Sequence, residues 1–331
     1  MPQTMKLALL DDYQKVAMRM ADWDRLRKRG VEITVFHEPF TSVEDAAQKL
    51  APFDMLGLLR ERTAFPRALI EKLPNLKFMV LTGARAASLD DKAAAERGIP
   101  VSTTPGGTSN APTAELAWAL LMMCARDLAK AERLARQGKW HDGIEQMVVL
   151  EGKRLGILGL GKLGSRVARY AKAFGMEVVA WSQNLTPEKA EAGGATYVTK
   201  DELLATSDFV SIHLALSDRT RGLIAAPELA KMKKTAILVN TSRGPIVDEA
   251  ALIEALKNRT ILHAGLDVYD REPLSADHPL TKLDNVTLIP HLGYVVEESY
   301  RHFYEGTIKD IEAWLDGSPI NVLNPDALKK A

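Results

Sequence analysis

Short apolar runs rich in Val, Ile and Leu alternate along the chain with stretches whose apolar positions return every third or fourth residue. The first kind reads as strands buried on both faces and the second as amphipathic helices. Their alternation implies parallel strands joined by crossover helices. Strands are predicted over residues 6–10, 31–36, 54–59, 76–81 and 101–103, with helices over 16–28, 43–50, 66–73 and 90–97. Pro66 suits a first helical position and Gly98 a helix stop. After the turn Pro105-Gly106-Gly107 a longer helix is predicted over 112–137. A second alternating series follows, with strands over 154–158, 177–181, 209–213, 236–240, 264–268 and 286–289 and a last helix over 297–315.

Two such series imply an α/β fold of two doubly wound, parallel-sheet (Rossmann-like) domains with a ligand cleft between them. The last helix is long enough to cross back onto the first domain. The outer, substrate-binding domain is therefore predicted to be discontinuous, residues 1–104 plus 297–331, and residues 105–296 form the dinucleotide-binding domain. No internal repeat or low-complexity tract interrupts the pattern.

The charge balance narrows the function classes. Lys plus Arg and Asp plus Glu both number 43, so the formal net charge is zero and nothing calls for nucleic acid or an anionic membrane as partner. The single cysteine, Cys124, allows no internal disulfide and no cysteine metal site; in its apolar surroundings it reads as a buried inert thiol. The first apolar run is too short for a secretory signal and no stretch has membrane-span length, so a cytoplasmic protein is expected.

Gly159-Leu160-Gly161-Lys162-Leu163-Gly164 lies between a predicted strand and a predicted helix. Gly159 permits the tight turn, Gly161 leaves room for a pyrophosphate, and Gly164 lets helix and strand pack closely. The helix start, with Lys162 and Leu163, then offers free N–H groups to phosphate oxygens. NAD-selective sites carry an acid about 20 residues further on. Ser182 stands there instead, with Lys189 the nearest cation, so NAD and NADP both stay open, with a lean towards tolerating NADP.

Three more segments end later strands: Asn240-Thr241-Ser242-Arg243-Gly244, the run from Gly265 to Pro273, and Pro290-His291-Leu292-Gly293. Reducing a ketone requires a cation at the developing alkoxide and an acid to protonate it. The fork of Arg243 suits a carboxylate and its neighbouring carbonyl. Histidine titrates near working pH, which makes His291 the natural general acid, and Glu272 would accept the other ring N–H and favour the charged ring. The remaining histidines lack this strand-end context and read as structural. With these four motifs in order, the chain resembles the D-isomer-specific 2-hydroxyacid dehydrogenases from first strand to last helix. The resemblance implies NAD(P)-dependent hydride transfer to or from a small 2-keto or 2-hydroxy acid. It implies Arg243, Glu272 and His291 as the catalytic set, with Asp267 and Thr241 on the cofactor side.

The resemblance also implies that a glycine-rich loop holds the substrate carboxylate. Here that loop begins Thr82-Gly83-Ala84-Arg85 and departs from the family pattern at Arg85, Ala87 and Ser88. Gly83 and Ala84 remain candidates for carboxylate binding. Arg85 is either a solvent-facing loop residue or an extra cation for a second acidic group, and Arg60 is a further candidate. Phosphoglycerate dehydrogenases match less well, since the apolar Leu81 stands where they place a basic residue. Tyr294 either touches substrate or packs as an aromatic. A rival reading is a catalytically quiet NAD(H)-binding redox sensor resembling the corepressors of this family. The apolar run 116–123 exceeds what one buried helix face requires, so either a homodimer or burial within one chain must cover it; the homodimer is the expectation.

Overall fold

Apolar strand residues that must be covered on both faces force the sheets to sit beneath helices. The computed structural model describes residues 4–104, 110–144 and 147–329. The turn Pro105-Gly106-Gly107 lies outside them. The chain separates into two compact units, Met1–Ser109 with Val295–Ala331, and Asn110–Tyr294.

The first unit holds β1 (Met5–Leu9), β2 (Val31–Val35), β3 (Met55–Leu58), β4 (Phe78–Thr82) and β5 (Val101–Thr104), all parallel, in the order β2-β1-β3-β4-β5. Its core gathers Leu10, Leu56, Phe65, Leu69, Met79 and Leu81. Helix Glu297–Leu315 packs onto this sheet through Tyr300, Phe303, Tyr304, Ile308 and Ile311, and Trp314 stacks on Phe78 with ring centroids 4.9 Å apart. Residues 320–324 then run along the edge of β5, where Thr103 N–H donates to Asn321 O (3.0 Å) and Leu323 N–H to Val101 O (2.8 Å). The Asn324 side chain completes the seam by accepting from Val101 N–H at 2.8 Å.

The second unit holds β6 (Arg154–Leu158), β7 (Glu177–Trp181), β8 (Thr196–Tyr197), β9 (Phe209–Ile212), β10 (Ile237–Asn240), β11 (His263–Leu266) and β12 (Val286–Leu288). They pair in parallel in the order β12-β11-β10-β9-β6-β7-β8. The chain reverses direction across the sheet between β6 and β9, the point where an open α/β sheet opens a crevice at its carboxyl edge. Asn240, Leu266 and Leu288 lie in one register row, so the segments after β10, β11 and β12 leave the sheet side by side. The fold is thus α/β with two doubly wound parallel sheets.

Three helices differ from the pattern reading. The predicted helix 112–137 is two helices, Ala111–Ala125 and Leu128–Arg136, parted by Asp127 with φ 45°. Apolar periodicity runs through that point, but a left-handed residue, which Asp tolerates better than most, redirects the chain. Residues 16–28 likewise divide into Ala17–Met20 and Asp24–Arg27, because Ala21 is extended and the Trp23 indole N–H caps Ala17 O at 2.8 Å. Pro66 precedes the first helical residue, Arg67, and serves as its N-cap. Among the described residues no helix is long and apolar enough to cross a membrane.

Candidate active site

The loop after β6 is shaped by three close approaches. Gly159 has φ 99°, and a Cβ there would lie 2.8 Å from His213 O. A Cβ on Gly164 would meet Gly159 O at 2.2 Å, which is how helix Lys162–Ala173 sits so near the strand that precedes it. At Gly161, by contrast, a Cβ would meet nothing within 4 Å. That open space beside the first-turn amides of a twelve-residue helix suits a pyrophosphate. Lys162 is exposed there, whereas Leu163 turns towards the core formed with Ile157 and Val167.

Ser182 is half-buried just after β7, and its carbonyl accepts from Leu185 N–H at 3.1 Å. The neighbouring Gln183 side chain donates to Arg219 O at 3.4 Å. Arg219, 36 positions along the chain, therefore lies at the end of β7, a proximity that sequence spacing did not suggest. The only local signal is the polar run around it.

The segment after β10 is a tied turn. Asn240 accepts from Ser242 N–H (3.0 Å) through Oδ1 and donates to Arg243 O (3.0 Å) through Nδ2, while Ser242 Oγ donates to Ile212 O at the end of β9 (2.8 Å). This turn fixes where the Arg243 side chain starts; Nη1 donates to Ser242 O at 2.7 Å. Thr241 is buried, and its Oγ1 has no hydrogen-bond partner among the described residues. A buried unpaired hydroxyl beside an open crevice fits a dinucleotide that supplies the missing bond.

Asp267, after β11, is 1% exposed and accepts from Leu292 N–H at 2.6 Å and Gly293 N–H at 3.0 Å. Burial pushes its carboxyl up to about 6, against the lowering effect of those amides and of His291. Gly293 is close to both sides, since a Cβ would lie 3.2 Å from Asp267 Oδ2 and from Thr113, whose hydroxyl donates to Gly293 O. Asp267 so clamps the two residues that follow His291.

Glu272 and His291 meet. His291 Nδ1 lies 2.6 Å from Glu272 Oε2, and Glu272 Oε1 accepts from Tyr269 N–H at 3.0 Å. The His291 side chain is 21% exposed and that of Glu272 30%, so the pair is sheltered yet reachable. The contact to Glu272 is made through Nδ1. Tyr294 stands edge-on to the His291 ring, with centroids 6.1 Å apart and planes at 74°. Cys124 is buried against Gly265, and desolvation pushes its thiol up to about 12, which keeps it protonated.

The remaining candidates belong to the first unit, at the carboxyl ends of β3 and β4. Gly83 has φ 100°, and a Cβ there would coincide with the Arg60 guanidinium. The Gly83 amide does not meet the expectation of a free carboxylate donor: it already donates to Thr104 O (2.9 Å) and Thr104 Oγ1 (3.0 Å). Glycine is needed at 83 to seat Arg60, whose amide donates to Thr82 Oγ1 (2.9 Å) and whose guanidinium lies 5.9 Å from the Phe303 ring centroid. Ala84 and Arg85 are exposed.

Comparison with known proteins follows the same outline. The family model of the D-isomer specific 2-hydroxyacid dehydrogenase NAD binding domain matches residues 118–293. A glyoxylate reductase of Aeropyrum pernix is 40% identical over 79% of this chain and 80% of its own length. A hydroxypyruvate reductase of Blautia hydrogenotrophica is 32% identical over 97% of this chain and all of its own. The crystal structure of a phosphoglycerate oxidoreductase from Vibrio cholerae superposes with a TM-score of 0.90 at 34% identity, covering 95% of this chain and 100% of that one.

Proposed function

This chain belongs to the D-isomer-specific 2-hydroxyacid dehydrogenase family and is an NAD(P)-dependent 2-hydroxyacid dehydrogenase; we propose that it reduces a short 2-keto acid such as glyoxylate or hydroxypyruvate with Arg243, Glu272 and His291. The observation that carries this reading is the His291 Nδ1–Glu272 Oε2 contact of 2.6 Å, in the segments that follow two adjacent parallel strands.

Gly159, Gly161, Lys162, Leu163, Gly164, Ser182, Thr241 and Asp267 are the residues that would hold the dinucleotide, whose nicotinamide, when bound, supplies the hydride. Everything else is the work of the chain. Arg243 binds the carboxylate and polarises the adjacent carbonyl, drawing negative charge onto its oxygen. His291 gives a proton from Nε2 to that oxygen, while Glu272 holds the ring by Nδ1 and stabilises its charged form. Asp267 keeps the backbone beyond His291 in place through its two amide bonds. Arg60, Ala84 and Arg85 of the first unit are read as substrate contacts, and Tyr294 of the second unit as a wall beside the imidazole. Ser182 offers neither the acid that excludes a 2′-phosphate nor a cation that demands one, so both NADH and NADPH serve.

The assembly is a homodimer. Leu128, Trp140, Met147 and Val149 are exposed large apolar side chains within one short stretch of chain, and Trp140 is 75% exposed. Helix Ala111–Ala125 itself packs within the second unit, with Trp118 against Tyr170 and Phe174, so Leu128, Trp140, Met147 and Val149 offer the surface for a second copy. Oxidation of NADH and of NADPH on addition of glyoxylate, hydroxypyruvate and pyruvate tests the activity; no turnover with any of them overturns the reading.

A further inference from the structure

Tyr269 is 6% exposed and touches every segment that bears a member of the proposed catalytic set. Its main-chain N–H donates to Glu272 Oε1 at 3.0 Å. Its phenol O–H lies 2.9 Å from Ile289 O and 3.2 Å from Leu266 O, the carbonyls at the ends of β12 and β11. Ile289 O is also the acceptor of the His291 amide, at 3.0 Å. On its third side the Tyr269–Asp270 peptide presses on the residue after Arg243: a Cβ on Gly244 would lie 2.1 Å from Tyr269 C.

We propose that Tyr269 is a positioning residue, whose hydroxyl joins the ends of β11 and β12 and so holds the His291 ring at hydrogen-bond distance from Glu272. The inference rests on the reading of those two side chains as an acid–base pair. A phenyl ring would fill the same apolar volume beside Leu266 and Leu280, so burial alone does not call for the hydroxyl. A buried O–H is instead explained by the two carbonyls it reaches. The charged groups around the phenol are Asp267, Glu272 and Glu249, all carboxylates. Together with burial they hold the phenol well above its ordinary titration range, so it remains a donor at every working pH. Sub-ångström freedom at the strand ends matters here because proton transfer falls steeply as donor and acceptor part.

The test is Tyr269→Phe in the full chain, measured beside Glu272→Gln. For Tyr269→Phe, kcat for 2-keto acid reduction is expected to fall about 3- to 30-fold. KM and cofactor affinity should stay within about twofold, since no group that binds them is removed. The alkaline limb of the kcat profile should move in the same direction as in Glu272→Gln, by less. A lower Tm with unchanged kcat and pH profile would show a merely structural hydroxyl and overturn the proposal. If Glu272→Gln leaves the profile unmoved, the acid–base reading fails and this inference with it; a shift in Glu272→Gln but none in Tyr269→Phe refutes the inference alone. Should the phenyl variant not accumulate, Tyr269→Leu, also lacking the hydroxyl, is read by the same criteria.

Discussion

His291 Nδ1 faces Glu272 Oε2 at 2.6 Å while the His291 backbone holds φ at 53°, a left-handed conformation that non-glycine residues adopt at a cost. The main chain is bent so that the ring meets the carboxylate, and the Asp267 clamp on the next two amides keeps it bent.

Replacing His291 by Ala should lower turnover about 10²- to 10⁴-fold, the usual worth of a positioned general acid. Cofactor affinity should be nearly unchanged. Steady-state rates together with fluorescence titration of NADH check both halves, and near-normal turnover removes His291 from the mechanism.

Glu272→Gln keeps a side chain of the same shape beside His291 and removes its negative charge. The imidazolium then loses Coulomb support, so ketone reduction should fail at lower pH than in the wild type. A pH–rate profile decides it; identical profiles would uncouple the two side chains.

Cofactor preference should respond to one substitution. Ser182→Asp adds repulsion against a 2′-phosphate and an acceptor for a bare ribose, tilting the ratio of affinities towards NAD. Dissociation constants for both cofactors measure it, and an unaltered ratio would put the ribose elsewhere.

Asp310 gives a stability prediction. It is 1% exposed on helix Glu297–Leu315; Oδ1 accepts from Asn321 Nδ2 at 2.9 Å, and Oδ2 has no partner among the described residues. Burial pushes its carboxyl up to about 6 from 3.8. A carboxyl raised on folding contributes stability that is complete below pH 3.8 and is lost as pH rises through about 6. Asp310→Asn should therefore raise Tm by a few degrees at pH 8 and change it little near pH 4. Thermal melts at the two pH values test the sign, and equal shifts at both would refute the titration.

Light scattering over a concentration series should show a dimer. Trp140→Glu combined with Val149→Glu should yield monomers, because two charges would then face apolar surface. A wild-type monomer at micromolar concentration refutes the assembly.

Much of the architecture was readable because strand residues buried on both faces are bounded by charges and glycines. Arg154–Leu158, Glu177–Trp181 and Glu297–Leu315 have the predicted limits to the residue. Breaks were less readable: Asp127 interrupts an apolar rhythm that continues on either side, and the interruption is a matter of one dihedral angle. In the candidate site, Arg243, Glu272 and His291 stood out as residue types at strand ends. What escaped was tertiary. The capture of the Gly83 amide by Thr104, the arrival of Arg219 beside Gln183, and the reach of the Tyr269 hydroxyl to Ile289 O each join positions about 20 or more residues apart. No local period encodes them.

The seam of residues 320–324 along β5 has a consequence for the growing chain. On the ribosome, β5 emerges well before the segment that covers its edge, since Val101 and Asn324 stand 223 positions apart. Until then the strand presents open N–H and C=O groups, which is the template on which nascent chains stick to one another. The stretch Asn110–Tyr294, a compact unit of its own, has by that time emerged. Emergence of residues 320–324 is thus the event that silences the exposed edge, and chains cut short before residue 320 should collect in inclusion bodies even though their second unit is whole.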